Sequence, residues 1–175
     1  TKDKTAITPD EMKNICIELK KEFDYVLIDC PAGIEHGFEN AIAGADRAII
    51  VTVPEVSAVR DADRIIGKLE TKGMSDHQLI INRLNIDMAR KGDMLNIQDM
   101  LDILSIELLG VIPDDNKIIV STNKGEPVVT DEDSMAGKAY CNIARRVCGE
   151  KVPMLDLEQN HGGFISIIKK IFNIK

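Results

Sequence analysis

The stretch Tyr25-Val26-Leu27-Ile28-Asp29-Cys30-Pro31-Ala32-Gly33 decides the fold. A short apolar run that ends in an acid, then a proline and a glycine, describes a strand covered on both faces that stops in a turn. Strands of that kind belong to parallel sheets, and parallel neighbours need crossover connections. Upstream, Thr8-Pro9-Asp10-Glu11 supplies an N-cap, a proline at the first helical position and an acid three residues after the cap, which predicts a helix to about Glu22. Downstream, Ala48 to Val53, Gln78 to Ile81 and Leu108 to Ile112 repeat the strand pattern, separated by helical stretches near Phe38 to Ala45, Val56 to Glu70 and Ile97 to Leu104. A last helix is expected near Met135 to Cys148. This alternation implies right-handed crossovers and a doubly wound, mostly parallel α/β sheet.

With 175 residues, 44% of them hydrophobic and 29% charged, the chain has the size and composition of about one globular domain. No window holds the roughly 18 apolar residues of a membrane span, and no basic start leads into an apolar stretch with a cleavage site, so neither a spanning helix nor a secretory signal is expected. The formal charge of −7 argues against bulk attraction to nucleic acid and leaves any anion to a local site. Cys16, Cys30, Cys141 and Cys148 form no C-x-x-C pair and are read as reduced thiols of a cytosolic protein. The chain starts at Thr1 rather than at a methionine, and a fragment is expected.

In open parallel sheets ligands bind beyond the carboxyl ends of the strands, which is where Asp29 to Gly33 fall. An aspartate there suits Mg²⁺, a hard ion that prefers carboxylate and water oxygens, and Gly33 lets a backbone N–H approach a phosphate. A helix cap or a simple turn accounts for the same residues equally well. Beyond Gly149 the period is lost, and residues 150–163 read as a linker ending in Gly162-Gly163. The last twelve residues differ again. At about 100° per residue, Phe164, Ile165, Ile167, Ile168, Ile171, Phe172 and Ile174 occupy one half of a helical wheel, opposite Ser166, Lys169, Lys170 and Asn173. Three lysines and no acid stand there, against 19 basic and 29 acidic residues in 1–163. A basic amphipathic helix in a membrane interface and a helix docked on the domain both fit, and the glycine pair and the charge reversal favour the membrane.

Y-V-L-I-D-C-P-A-G-I-E, residues 25–35, resembles the Walker B and switch II segment of the MinD/ParA ATPases, P-loop proteins with a deviant Walker A motif. The resemblance runs on through A-G-A-D-R-A-I-I-V-T-V-P-E-V-S-A-V-R-D-A-D-R-I-I-G (43–67), I-N-R (81–83), R-K-G-D-M-L (90–95), L-L-G-V-I-P-D-D (108–115) and T-N-K-G-E-P-V-V (122–129). The family's K-G-G-x-G-K-T is absent. Gly67-Lys68 and Gly137-Lys138 lie in helical stretches and not in a glycine-rich loop. The resemblance therefore implies the C-terminal two-thirds of such a chain: 1–149 as a P-loop domain lacking its first, P-loop strand, 150–163 as linker and 164–175 as a membrane-targeting helix.

What the resemblance implies for function follows residue by residue. ATP and Mg²⁺ are the cofactors; Asp29 holds the Mg²⁺ shell through water, with Pro31 and Gly33 completing switch II and Gly33 sensing the γ-phosphate. Asn82 and Arg83 border the adenine, and Pro113 and Asp114 form the other wall of the base pocket. From the residues alone Asn82 is equally a strand-end turn. Glu55, Ser57, Arg60 and Asp61 face a second copy around ATP and dock MinC and MinE or another positional regulator, although charges at a helix start are also commonly a solvated face. Phe164, Ile165, Ile168, Lys169, Lys170, Ile171 and Phe172 meet an anionic membrane, so the protein is cytoplasmic and reversibly peripheral at the inner face of the cell membrane. The implied activity is ATP hydrolysis in septum positioning through an ATP-dependent homodimer, with no nucleic acid bound. The isolated chain is expected to be inactive without the Walker A loop. Two alternatives remain: another ParA-like positioning ATPase, for partition or flagellar number, and a non-catalytic membrane-docking module if Thr1 is the native start.

Overall fold

The structure, a computed structural model, describes residues 7–31, 33 and 36–157. The first helix, α1 (Pro9–Leu19), starts as its sequence dictates: Thr8 Oγ1 accepts from the Glu11 amide at 3.3 Å while the Glu11 carboxylate accepts from the Thr8 amide at 2.8 Å. This reciprocal pair satisfies two of the donors a helix start leaves open. Cys16 is buried where α1 meets Gly44, just beyond α2 (His36–Ala43).

Residues 25–28 do not form the strand that their apolar run predicts. They carry no ladder among the described residues, and Leu27 is 84% exposed. An apolar run becomes a strand only when a neighbouring backbone takes its N–H and C=O groups, and no described strand lies beside it. Regular pairing is confined to β1 (Ala48–Thr52), β2 (His77–Leu84) and β3 (Glu107–Pro113), parallel and in the order β1-β2-β3.

Between β1 and β2 runs α3 (Val56–Thr71); between β2 and β3 run α4 (Ile86–Lys91) and α5 (Ile97–Leu104). Val59, Ala62, Ile66 and Leu69 of α3 and Ile97, Met100 and Leu104 of α5 cover one sheet face, packing on Ile50, Leu79, Ile81, Leu108 and Val111. The other face receives Ile80, Leu109 and Ile112. It is covered by α7 (Met135–Val147), which follows α6 (Asn116–Lys124) and a 3-10 turn at Val128–Thr130, and which contributes Ala136, Ala139 and Ile143. Burial on both faces explains why these strands are near-continuous apolar runs.

The pairing of β2 with β3 slips once, since Leu79 opposes Leu108 whereas Ile80 opposes Gly110. The extra residue, Leu109, makes a bulge. Gly110 sits against α7, and a Cβ there would stand 2.7 Å from Ile143 Cδ1. At Gly137 a Cβ would stand 2.6 Å from the Val128 carbonyl oxygen. These two glycines let α7 seat closely on the sheet and on the 3-10 turn.

After α7, residues 151–157 lack regular structure but are not free of the domain. Met154 and Leu157 pack on the first core and Leu155 on the second.

Leu79 and Leu27 provide a direct comparison. In this chain Leu79→Ala should cost about 2–5 kcal/mol, as expected for a fully buried leucine, while Leu27→Ala should stay within about 0.5 kcal/mol, as for a surface position. Urea unfolding followed by circular dichroism measures both. Equal losses would mean that residues 25–28 are buried strand.

Candidate functional site

The parallel ladder delivers its strand ends to one rim. Leu84 at the end of β2 stands in register with Pro113 at the end of β3, and the Asp114 amide donates to the Leu84 carbonyl at 2.9 Å. The structure thus brings together Asn82, Arg83, Pro113 and Asp114. Asn82 Oδ1 accepts from the Arg83 amide at 3.0 Å, and Arg83 Nε lies 3.7 Å from Asp114 Oδ1. Arg83 adopts φ +55°, a left-handed conformation uncommon outside glycine. Such backbone strain concentrates where a strand end must aim a group at a ligand.

Asp115, which the sequence reading passed over, organises the same rim. One carboxylate oxygen caps α6 by accepting from the Lys117 amide at 2.9 Å; the other accepts from Ser134 Oγ at 2.7 Å and the Ala136 amide at 3.2 Å. Ser134, fully buried, in turn caps α7 by accepting from the Gly137 amide at 3.0 Å. Burial pushes the Asp115 carboxyl up, but the Lys117 amide, the Ser134 hydroxyl and the Ala136 amide outweigh it and hold it below the usual aspartate value. Beside it Lys117 Nζ donates to Asp131 at 2.9 Å. An acid N-cap followed by Gly125 at the helix end was the available signal for α6.

Asp29 and Pro31 are exposed, and neither forms a hydrogen bond or ion pair with the β2–β3 rim among the described residues. Pro31 touches α2: a Cβ on Gly37 would lie 2.7 Å from Pro31 Cγ. Gly33 is exposed with φ +97° and open space where a Cβ would be, so its backbone conformation suits glycine. No group of three metal-ligating side chains occurs among the described residues. An exposed carboxylate beside an accessible glycine N–H fits Mg²⁺ held through water and phosphate oxygens, the manner in which that ion is commonly bound; it does not amount to a protein cage.

Glu55 is the N-cap residue of α3 and makes no side-chain capping bond. Ser57, Arg60 and Asp61 follow at helical spacing on one exposed face, with Asp61 paired to Arg64 at 3.3 Å. The membrane residues, from Phe164 to Phe172, lie outside the described residues. None of the described helices is long and apolar enough to cross a membrane.

Asp115→Ala should destabilise the chain by about 2 kcal/mol, because a cap is lost and a buried hydroxyl loses its acceptor. A carboxyl held low when folded contributes stability above the unfolded aspartate value, near pH 4, and loses it as pH falls through the folded value. The stability gap between the parent and Asp115→Asn should therefore narrow below about pH 4 in urea titrations, and a gap constant from pH 7 to pH 2 would contradict the assignment.

Three comparisons bear on this arrangement. Residues 11–148 match the family model described as ParA, NUBPL iron-transfer P-loop NTPase. The septum site-determining protein MinD of Bacillus subtilis (strain 168) is 49% identical over an alignment that covers 100% of this chain and 66% of the relative. Among solved structures, the MinC:MinD cell division protein complex of Aquifex aeolicus superposes with a TM-score of 0.80 at 43% identity, covering 85% of this chain and 62% of that one. MinD of Pyrococcus horikoshii complexed with Mg-ADP gives a TM-score of 0.70 at 30% identity, covering 79% and 56%. The chain spans less than two thirds of the length of the relatives it matches.

Proposed function

The chain belongs to the ParA family of P-loop NTPases, and from that premise we propose that it works as part of a MinD-type ATPase that positions the division septum. The observation that carries the reading is the polar rim at the carboxyl ends of β2 and β3, where Asn82, Arg83, Pro113 and Asp114 converge. A rim of this kind is where open parallel sheets take their ligands.

In this reading Asn82 presents both a donor and an acceptor to the adenine edge, and Arg83, aimed by its left-handed backbone, closes the pocket with Asp114. Asp29 orients a water of the Mg²⁺ shell, and the Gly33 N–H meets the γ-phosphate. Mg²⁺, when bound, neutralises charge on the phosphates. The exposed row Glu55, Ser57, Arg60 and Asp61 faces a second copy and docks regulators; the MinC:MinD complex among the structural relatives supports MinC as one of them, and MinE or another positional regulator uses the same side. Residues 164–175 attach the protein reversibly to the inner face of an anionic membrane. One anchor binds weakly, since each lysine contributes only about 1 kcal/mol near such a surface, and two on one dimer bind together. ATP-driven pairing then becomes attachment and hydrolysis becomes release.

A ParA-like partition ATPase is the nearest rival. Partition requires attraction to DNA, which 19 basic against 29 acidic residues in 1–163 disfavour. Septum placement decides between them. A whole protein carrying this chain should suppress minicells in a strain lacking MinD, and Asp29→Ala should abolish the rescue; a DNA shift at low salt without septum rescue would favour partition.

The 175 residues contain no G-x-x-x-x-G-K-[ST] loop, so the chain alone should release no phosphate from ATP above background. Steady-state phosphate release measures this, and Mg²⁺-dependent turnover lost in Asp29→Ala would overturn it.

Ile168→Glu places a charge in the apolar arc of the terminal segment and should abolish sedimentation of a tandem Phe164–Lys175 peptide with phosphatidylglycerol-rich vesicles. Lys170→Gln should weaken it partly, with the larger loss at low salt. A tandem peptide that ignores anionic lipid would exclude the membrane anchor.

A further inference from the structure

The last turn of α7 holds a side chain that the proposed chemistry does not use. Arg146 donates from Nη1 to the Leu109 carbonyl of β3 at 2.9 Å, from Nε to the Val152 carbonyl at 2.8 Å and from Nη2 to the Pro153 carbonyl at 2.8 Å. Leu109 is the bulged residue of β3, and β3 is the outer strand on this side of the sheet. One planar guanidinium therefore ties three backbones: the sheet edge, the helix that carries it and residues 152–153. Arginine suits the task because its donors are fixed in a rigid fork, which a lysine lacks.

The tie is reinforced by packing. Beyond Pro153, Met154 and Leu157 bury on one face of β3 and Leu155 on the other. Ile97, Val111, Arg146, Met154 and Leu157 line a cavity of about 20 Å³ beneath this strap, too small for anything but a water molecule. Nothing here resembles a ligand pocket; the arrangement fastens chain.

We infer that Arg146 is a positioning residue that fixes where the C-terminal segment leaves the domain and so sets the avidity of paired membrane anchors. The inference rests on the membrane reading proposed above. With the strap clamped, the last packed residue before Phe164 is Leu157, and the intervening chain reaches at most about 25 Å at ~3.5 Å per residue. With the strap released, the last fixed residue is Cys148 at the end of α7, and the reach grows to about 55 Å. Effective concentration between two tethered groups falls roughly as the −3/2 power of chain length. Going from 7 residue steps (157 to 164) to 16 (148 to 164) therefore lowers it about threefold. Contact between each anchor and lipid is unchanged.

The test uses the full 175-residue chain, once as it is and once paired through a parallel coiled coil fused at Thr1, with vesicles of 30% phosphatidylglycerol in phosphatidylcholine. Arg146→Ala should open residues 151–157 to limited proteolysis and weaken vesicle binding of the paired chain about threefold, while the unpaired chain binds as before. Because Arg146→Ala removes buried hydrogen bonds, a second variant keeps the clamp and inserts nine Gly and Ser residues between Leu157 and Phe164; it should show the same loss with no change in thermal melt. Strap protection unchanged in Arg146→Ala would overturn the clamp. A released strap with undiminished paired binding, or an insertion without effect, would overturn its role in avidity. If the paired parent does not bind the vesicles at all, the membrane reading fails and this role with it, while the proteolysis result still reports on the clamp.

Discussion

The parallel ladder between β2 and β3 is the constraint from which the remaining structure follows. Its residues are buried on both faces, with Leu79 and Ile81 turned to one core and Ile80 and Ile112 to the other. A strand so placed cannot be reached by a hairpin and must be entered through a crossover, and each crossover has to bring an apolar helix face to the sheet. That requirement puts α3 and α5 on one side and leaves the other for α7. It also sends the strand ends to a common rim, so that Asn82 and Asp114, 32 positions apart in the chain, come within the reach of one ion pair between Arg83 and Asp114.

At that rim a second organising group appears. The Asp115 carboxylate satisfies amides at the starts of both α6 and α7 and the hydroxyl of buried Ser134. Two helix N-termini favour a negative charge, which is why an aspartate rather than a neutral residue is stable in a half-buried place. The walls of the candidate base pocket are thereby attached to the helix that closes the far sheet face.

Much of this was legible in the residues. The Thr8–Glu11 capping box, the apolar runs of β1, β2 and β3 and the periodicity of α3, α5 and α7 all act locally, so local patterns reveal them. The pairing of Asn82 and Arg83 with Pro113 and Asp114 came from family resemblance, because only the register of the sheet brings them together. Two short helices escaped, α4 between Asn85 and Gly92 and α6 between Asp115 and Gly125: neither is long enough to show a period, and only their caps mark them. Residues 25–28 failed in the opposite direction. Their composition states a capacity for two-sided burial, and burial depends on neighbours that composition cannot supply. Asp115 was invisible for a related reason, since its main partner, Ser134, stands 19 residues away.

The two edges of the sheet are unlike, and the difference is physical. Along β3 the open carbonyl of Leu109 is taken by Arg146, and the strap packs apolar side chains over both rims of the strand. Along β1 no strand or clamp stands on the outer side among the described residues. Val51 there is 57% exposed, and Phe23, Tyr25 and Leu27 add further exposed apolar surface earlier in the chain. An apolar edge with free backbone groups invites another strand. A parallel strand laid against β1 would find hydrogen-bond partners and would cover Val51, and the extended run at residues 25–28 could then pair on its far side with its apolar residues buried. The same run that reads as a two-faced strand in the sequence and as exposed chain in the structure is thus consistent with one chemistry under two conditions, with and without a neighbour.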